Sequence, residues 1–576
     1  LVWLHSGCSE PEEVVPGPPL AVVGVELSRG SPVEADSSRD PLIEMHRVEK
    51  ATLLGLPESE RPRIRVRDGL SDALDAEDCA VYVRNRLSAT EQAAMRARDI
   101  EVNPDFWIPP VPAHGHRWGF HLARVPYGQM RALAEDPNVV EIRSTEVPMV
   151  VTNDLARTKI KADLVHAGTG VTARTGAGVK ICIIDSSLDT THPDIPAPVE
   201  KYDLTTGTTT ANWSTTVTST ASDHGTHVTG SAVGSGGLSA GKYKGSGPGA
   251  SLHFYKVMSS AGSISSTDVL EGIARAQAVG CDVLSMSLGS FGSEFDGSGS
   301  QEQAIDAGTA VGMTTVVATG NEGASARHAM TGTIAPGATG TVAFTVNNSS
   351  GASAYTTKIK VNVVWRDSAA VATFITPSIA SLGAGEAFNS GGATLSSRGT
   401  KERLTELTPN VAAGASVTYT LTLANAAGGV STPAVHAFLQ ANESTIKFGS
   451  PSVSTTIMSP SVADTAISIG AYVTRRSWTA SSGTTYTDNT QTNETIATFS
   501  GRGPRIDGVQ KPDALAPGCY TVSTRDSAIA VGSEYLIDND GLNLNGSGPA
   551  QYVVMQGTSM ATPMAAGAVT LLLEAY

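Results

Sequence analysis

The stretch that most constrains the fold lies near the end of this 576-residue chain. Residues 565–573 (AAGAVTLLL) are small or apolar, which is typical of a helix buried on all sides, and Gly567 would let a neighbouring element approach closely. Proline is tolerated in the first turn of a helix, so Pro563 predicts a helix that begins between Thr558 and Met560. Ser559 then lies at the positive end of that helix, where its hydroxyl and N–H face developing negative charge.

A histidine and an aspartate occur in similar settings upstream. His224 opens a helix of small residues, and the largely apolar strand 179–184 ends on Asp185. Functional groups gather at the carboxyl ends of parallel strands in α/β proteins. The chain order Asp185, His224, Ser559 is one of the known orders of a serine hydrolase triad. This order weakens the alternative that Thr558 and Ser559 merely cap a core helix.

Three segments together resemble the signatures of the subtilisin-like serine proteases, the subtilases: residues 185–194 (DSSLDTTHPD), 224–227 (HGTH) and 557–563 (GTSMATP). The resemblance covers about residues 150–323 and 455–576. It implies an α/β catalytic domain with a doubly wound parallel sheet, and peptide-bond hydrolysis with Asp185, His224 and Ser559 as catalytic residues. The chain departs from the family pattern at Ser187, where glycine is usual, and at Met564-Ala565, where His-Val is commoner.

Two further segments resemble parts of the subtilase site. Residues 316–323 (VVATGNEG) resemble the strand whose terminal asparagine completes the oxyanion hole, which implies that role for Asn321. Ser287, Leu288 and Gly289 resemble the segment that pairs with substrate and lines the first specificity pocket.

Composition excludes several classes of function. A net charge of −15 disfavours nucleic acid and anionic membrane as partners. Hydrophobic residues make up 40% of the chain, enough for the cores of three or four domains. No apolar run reaches the roughly 18 residues that a transmembrane helix requires.

The five cysteines are too few and too scattered for a disulfide framework, and none forms a C-x-x-C pair. Cys182 and Cys281 lie in or beside predicted core strands, which favours buried thiols. The start Ser6-Gly7-Cys8 resembles the end of a bacterial lipoprotein signal. A lipid anchor on Cys8, an ordinary secretory remnant and no signal at all stay open as alternatives. The first two imply a secreted or cell-surface protein.

Changes in the pattern of apolar and polar residues divide the first part of the chain into segments. Residues 1–75 read as a signal remnant and linker with little periodicity. Residues 76–150 follow a β-α-β-β-α-β pattern that includes a capping box at 88–91 (SATE). This α+β pattern fits a generic ferredoxin-like domain or, by resemblance, the inhibitory propeptide of a subtilase. Residues 151–325 alternate strands and helices, as the first part of a doubly wound catalytic domain should.

A segment with a different residue pattern interrupts the predicted catalytic domain. Residues 326–451 contain segments that alternate with period two between Gly, Ser and Asn turns, which predicts an inserted β-sandwich rather than long loops. Residues 452–576 again show the pattern typical of a parallel sheet, which predicts the second part of the catalytic domain. The subtilase fold continues through another helix, so the resemblance suggests a truncated C-terminus at Tyr576.

The sequence offers weak signals for metals. Residues 538–541 (DNDG) resemble a calcium loop, but the glycine comes two places too early, which favours a hairpin turn. Some subtilases bind structural calcium, although no residue here can be assigned to it. His114, His116 and His227 fit surface or core histidines better than zinc ligands. We therefore expect no metal site and no cofactor in the chemistry.

The resemblance also predicts partners. Protein or peptide substrates are expected, together with the chain's own propeptide as an inhibitor that is cut off between about Pro148 and Leu155. Two alternatives remain. A serine-carboxyl peptidase of the sedolisin type would replace the histidine by glutamate and the asparagine by aspartate, against His224 and Asn321. A catalytically silent subtilase fold that serves as a scaffold or binding protein is harder to exclude from sequence.

Overall fold

The computed structural model describes residues 12–14, 41–55, 73–103, 107, 110, 118–144, 154–207, 211–217, 222–291, 295–366, 375–440, 445–539 and 550–576. They fall into two compact units, a smaller one within residues 41–144 and a larger one that comprises 12–14 and 154–576. Among these residues, none of the helices has the length and apolar character needed to cross a membrane. The predictions for Cys8, for His114 and His116 and for most of the cleavage segment 148–155 fall outside the described residues.

The smaller unit is an antiparallel sheet in the strand order β3-β4-β2-β5, accompanied by helices. Ser88 and Glu91 form the predicted capping box at the start of its second helix. A core that includes Val83, Leu133 and Ile142 lies against this sheet. After β1 (Glu12–Val14), which belongs to the larger unit, the elements are α1 (Pro41–Leu54), β2 (Ala76–Val83), α2 (Ala89–Arg96), β3 (Glu101–Val102), β4 (Gly119–Pro126), α3 (Met130–Ala134) and β5 (Val139–Ser144).

Helix α1 contradicts the prediction that residues 1–75 are only signal remnant and linker. It buries Ile43 and Leu53 and is also held by polar contacts. His46 Nδ1 lies 2.6 Å from Glu77 Oε1, and Lys50 Nζ donates a 2.6 Å hydrogen bond to the Ala76 carbonyl. All three side chains, His46, Lys50 and Glu77, are buried. A helix that buries charged residues lacks the hydrophobic periodicity by which it could have been recognised.

The larger unit is built on a parallel seven-stranded sheet in the order β24-β21-β10-β9-β6-β8-β7. This is the parallel-sheet α/β architecture that the sequence predicts. Its first part contains α4 (Asp154–Lys159), α5 (Ala162–Ala167), β6 (Lys180–Asp185), β7 (Glu200–Asp203), α6 (His224–Val233), β8 (Ser251–Lys256), α7 (Ser266–Ala278), β9 (Val283–Met286), α8 (Ser300–Ala310) and β10 (Thr314–Ala318).

Two antiparallel sheets follow β10, in the orders β11-β19-β13-β17-β15 and β14-β18-β12-β20. Side chains that include Phe344, Trp365 and Leu421 form one buried cluster from strands of both sheets. The strands are β11 (His328–Thr333), β12 (Thr339–Asn347), β13 (Ile359–Arg366), β14 (Ile375–Ile379), β15 (Ala387–Ser390), β16 (Thr394–Leu395), β17 (Thr400–Thr408), β18 (Ser416–Asn425), β19 (Ala434–Leu439) and β20 (Ile446–Phe448).

The chain returns from these sheets to the place where it left the parallel sheet. The two ends of the segment meet, because Phe448 N donates to the Ala326 carbonyl at 2.9 Å. The next strand then pairs with β10, with Val316 opposite Ile467. The remaining elements are β21 (Ile467–Tyr472), β22 (Ser477–Thr479), β23 (Thr485–Thr487), β24 (Ala514–Pro517), β25 (Thr521–Thr524), β26 (Leu536–Ile537), β27 (Tyr552–Met555) and α9 (Thr558–Ala575).

Helix α9 begins at Thr558, within the predicted range, and packs against α6 and the parallel sheet. Gly567 is required at the crossing with α6: a Cβ there would lie 2.7 Å from the Ala232 carbonyl oxygen. The close approach predicted for Gly567 is therefore present.

Cys182 and Cys281 form a disulfide, so the prediction of two buried thiols is wrong. Their Cα atoms are 6.0 Å apart, within the usual range for a disulfide. Cys182 lies on β6, and Cys281 lies two residues before β9. Strands β6 and β9 are neighbours in the sheet. The pairing comes from this adjacency, which cysteine spacing alone does not reveal.

Candidate active site

The predicted site residues converge at one edge of the parallel sheet. Asp185 is the last residue of β6, Ser287 follows β9 directly, and Asn321 comes three residues after β10. These three strands are adjacent, in the order β10-β9-β6. Their carboxyl ends therefore meet at the edge where α/β sheets hold their functional groups.

His224 begins α6 and its ring faces Asp185. Nδ1 of His224 lies 2.7 Å from Asp185 Oδ1, which also accepts a 2.6 Å hydrogen bond from the Ser186 N–H. Asp185 is 2% exposed, whereas the His224 side chain remains 20% exposed. The carboxylate can thus hold Nδ1 protonated and leave Nε2 as the basic nitrogen of a partly accessible imidazole.

Two opposing influences set the proton affinity of this imidazole. Burial favours the neutral ring, but the charge and hydrogen bond of Asp185, with a further contribution from Asp223, raise the pKa of His224 above its ordinary value. A base with a raised pKa binds the proton that it removes more firmly, which suits general base catalysis.

Ser559 lies in the first turn of α9, where backbone N–H groups lack helical partners. This helix start places Pro563 in the second turn, so the prediction of a first-turn proline is wrong. A proline there cannot donate to the carbonyl four residues earlier, that of Ser559. The Ser287 hydroxyl donates to that carbonyl instead, at 2.8 Å, and the Ser559 hydroxyl donates to the Ser287 carbonyl at 3.3 Å.

Asn321 is oriented by the residue before the serine. Its Oδ1 accepts hydrogen bonds from Thr558 N at 2.9 Å and from Thr558 Oγ1 at 3.1 Å. Because the oxygen is occupied in this way, the amide nitrogen is the end of Asn321 that remains to donate. A Cβ on Gly557 would lie 3.2 Å from this nitrogen and 3.6 Å from Ser559 N, so the two donors flank the same small space.

The unusual Ser187 has a local role in the site. Its hydroxyl donates a 2.5 Å hydrogen bond to the Ser222 carbonyl, two residues before the catalytic histidine candidate. The second histidine of the motif, His227, is buried with Nε2 3.0 Å from the Thr521 carbonyl, and burial lowers its pKa to about 3. Its role is structural, as the sequence predicts.

Among the described residues, one group of histidine, cysteine and acidic side chains is compact enough to hold a metal ion: Cys182, His253 and Cys281. The two sulfurs are bonded to each other, so they offer no thiolate ligands. The segment 538–541 lies only partly within the described residues, at the end of β26.

Sequence reasoning missed two side chains at this edge. Thr558 orients Asn321, as described above. Asp223 precedes His224 and is fully buried, yet its side chain makes no capping hydrogen bond with α6. Its position directly before the motif histidine was the only signal that could have identified it.

Comparison with known proteins agrees with this geometry. The Subtilase family matches residues 176–455 and 380–576. The serine protease AprX of Bacillus subtilis is 39% identical over 121 residues, which are 21% of this chain and 23% of AprX. Pyrolysin of Pyrococcus furiosus is 35% identical over 126 residues, 22% of this chain and 8% of pyrolysin. Subtilisin E of Bacillus subtilis is 28% identical over 205 residues, 34% of this chain and 48% of subtilisin E.

These alignments span less than half of each relative. Among solved structures, the CspB protease of Clostridium perfringens superposes with a TM-score of 0.54 and 20% identity, over 73% of this chain and 88% of that one. This likeness concerns the fold alone. The family match, by contrast, spans both parts of the parallel sheet and the segments that bear Asp185, His224 and Ser559. The chain therefore belongs to the subtilase family.

Proposed function

We propose that this chain is a secreted serine endopeptidase that hydrolyses peptide bonds in proteins. The observation that carries the proposal is the 2.7 Å contact between Asp185 and His224, at the sheet edge where Ser559 lies in the first turn of a largely buried helix. A carboxylate, an imidazole and a hydroxyl in this chain order form the subtilisin version of the catalytic triad. The histidine also disfavours a sedolisin-type mechanism, which uses glutamate at that position.

In the proposed mechanism Ser559 Oγ attacks the carbonyl carbon of the scissile bond while His224 Nε2 accepts the hydroxyl proton. The Ser559 hydroxyl first turns from the Ser287 carbonyl, to which its hydrogen bond is a long 3.3 Å, toward the imidazole. His224 then protonates the leaving amine, and an acyl-enzyme remains. Water hydrolyses this ester by the same proton transfers in reverse order, so no cofactor is needed.

The oxyanion that forms during attack would be bound by two donors. They are the Asn321 amide nitrogen and the Ser559 N–H, which lie on either side of Gly557. Both are fixed before substrate arrives, one through Thr558 and the other through the helix start. Preorganised donors of this kind stabilise the transition state more than the substrate.

We further propose that residues 76–150 act as an inhibitory propeptide. Support comes from the β-α-β-β-α-β order of the smaller unit and its position before the catalytic domain. Residues 326–451 would be an inserted β-sandwich, supported by two antiparallel sheets that share one core and begin and end close together. A lipid anchor on Cys8 and a structural calcium remain secondary proposals without assigned contacts.

Labelling with a fluorophosphonate probe, together with hydrolysis of an unfolded protein substrate, tests the proposed function. We expect the wild-type chain to form one covalent adduct on Ser559. Ser559→Ala should take no label and lose roughly 10⁶-fold in kcat, the figure for the same change in subtilisin itself. Thr570→Ala, on the far part of the same helix, is the matched control and should label normally. A folded wild-type chain that neither labels nor cleaves would instead be a catalytically silent scaffold.

A further inference from the structure

The segments after β9 and β10 contact Ser559 and Thr558, respectively, and the space between these two segments is called the gap. On one side the Ser287 carbonyl accepts a hydrogen bond from the Ser559 hydroxyl at 3.3 Å, and on the other Asn321 accepts a hydrogen bond from the Thr558 N–H. Residues 287–289 resemble the segment that lines the first specificity pocket of subtilases, so we place the side chain of the substrate residue before the scissile bond in this gap. The depth of the gap therefore decides which substrate residue can precede the scissile bond.

A loop from beyond the inserted segment closes the bottom of this gap. Met458 N donates to the Thr319 carbonyl at 3.0 Å, next to the end of β10. One residue further, Ser459 and Ser290 pair through two backbone hydrogen bonds of 3.1 and 2.9 Å, next to the end of β9. The loop is therefore bonded to both walls, and the Met458 side chain is directed into the space between them.

The Met458 side chain lies between the two walls of the gap. A Cβ on Gly320 would lie 2.6 Å from Met458 Cγ and closer still to its Sδ, and a Cβ on Gly289 would lie 3.1 Å from Met458 Cβ. Real Cβ atoms do not approach other carbon atoms to 2.6 Å. Both walls are glycine where the methionine touches them, and Met458 is only 2% exposed.

Aromatic rings hold the methionine from behind. Met458 belongs to a buried cluster in which Phe295 stacks on Phe438 with ring centroids 4.2 Å apart, and Phe291 lies 5.3 Å from Phe438. Phe438 lies on β19 of the inserted segment, so that segment supports the floor of the gap. Methionine is otherwise an adaptable side chain, but here backbone on two sides and rings on a third restrict its movement.

We propose that Met458 shortens the specificity pocket, so that the enzyme prefers substrates with a small residue such as alanine or glycine immediately before the scissile bond. Large aromatic or branched aliphatic residues are excluded because the volume they need is occupied by the methionine. This inference rests on the proposed peptidase function and assigns a substrate class to the same site.

The test uses two peptides that differ only in alanine or phenylalanine before the scissile bond. For the full-length chain we expect a higher kcat/KM for the alanine peptide. Met458→Gly should raise the phenylalanine-to-alanine ratio of kcat/KM by roughly 10- to 100-fold, the range that small volume changes in an apolar pocket produce. Rates are divided by the fraction of chains that react with fluorophosphonate, so loss of folded enzyme does not distort the ratio.

Met313→Gly is the matched control, since Met313 is equally buried but lies before β10, at the opposite edge of the sheet. It should leave the ratio unchanged. Met458→Ala, which keeps a Cβ, replaces the glycine variant if that variant does not fold. The inference is overturned if the wild-type chain prefers phenylalanine, or if labelled Met458 variants keep the wild-type ratio. A wild-type chain that neither labels nor cleaves either peptide would refute the proposed function instead.

Discussion

At the scale of single residues, Asp223 is the least expected group at the site. It is fully buried beside His224, and no other described residue donates a hydrogen bond to either of its carboxylate oxygens. Burial raises its pKa to about 6, and Asp526 adds to the rise, while His224 and Arg525 act in the opposite direction. A carboxylate kept in so unfavourable a position acts on its neighbour through charge.

We predict that Asp223→Asn moves the acid limb of the pH–activity profile to lower pH. Activity requires neutral His224, so it rises as the pH increases through the pKa of that histidine. The negative charges of Asp185 and Asp223 raise this pKa, and removal of one of them lowers it. The measurement is kcat/KM against pH for a small peptide. Asp189→Asn, which lies near Ser527 and not beside His224, serves as control.

An acid limb that stays in place in Asp223→Asn would show that Asp223 has no electrical influence on the imidazole. A limb that moves in both variants would point to a general effect of net charge rather than to this position.

At the scale of elements, the short motifs could be predicted from sequence because each residue of the site lies at the end of a helix or strand with a strong pattern. The apolar strand before Asp185 and the small-residue helix after Ser559 are examples. Met458 carries no such signal, because it reaches the site only through a loop that follows the inserted segment. Contacts that depend on strands becoming neighbours in the sheet cannot be predicted from local patterns.

The disulfide between Cys182 and Cys281 is such a contact, and it joins β6 to the residue two positions before the adjacent strand β9. We predict that the double variant Cys182→Ser and Cys281→Ser loses about 2–4 kcal/mol of unfolding free energy, because the bond closes a loop with a sequence separation of 99 residues. Activity of the folded variant should persist, since both cysteines lie toward the end of the strands opposite Asp185. Denaturant unfolding measures the loss.

Mass spectrometry after alkylation in denaturant provides the check on this pairing. Cys182 and Cys281 should be modified only after reduction, because their sulfurs are bonded to each other. Modification of both without reduction would show that the disulfide does not form.

At the scale of the whole molecule, the α/β architecture could be predicted because strands and helices alternate with clear periods. Helix α1 could not be predicted, because its buried His46 and Lys50 pair with Glu77, which lies on a strand later in the chain. The change to period-two alternation predicts an inserted segment over residues 326–451. The packing of Phe438 in one cluster with Met458 could not be predicted, because Phe438 lies far from every motif in sequence.

The last prediction concerns processing of the whole chain. We expect the wild-type protein to acquire a new N-terminus between about Pro148 and Leu155, in the segment that joins the two units, and the Ser559→Ala protein to remain uncut. N-terminal sequencing of both purified proteins makes the measurement. Cleavage of Ser559→Ala at this place, without any added protease, would show that processing does not depend on the chain's own active site.

The position of the inserted segment between β10 and its partner β21 also has a consequence for synthesis. A ribosome makes Asp185 and His224 early, then the whole inserted segment, and only afterwards β21 and the helix that carries Ser559. Domains fold as they emerge from the ribosome. While the inserted segment is being synthesised, the growing chain therefore lacks β21, the partner of β10, and lacks the proposed nucleophile. Until that helix is made, the chain lacks the serine that the proposed mechanism requires, so the order of its parts postpones any hydrolysis to the end of synthesis.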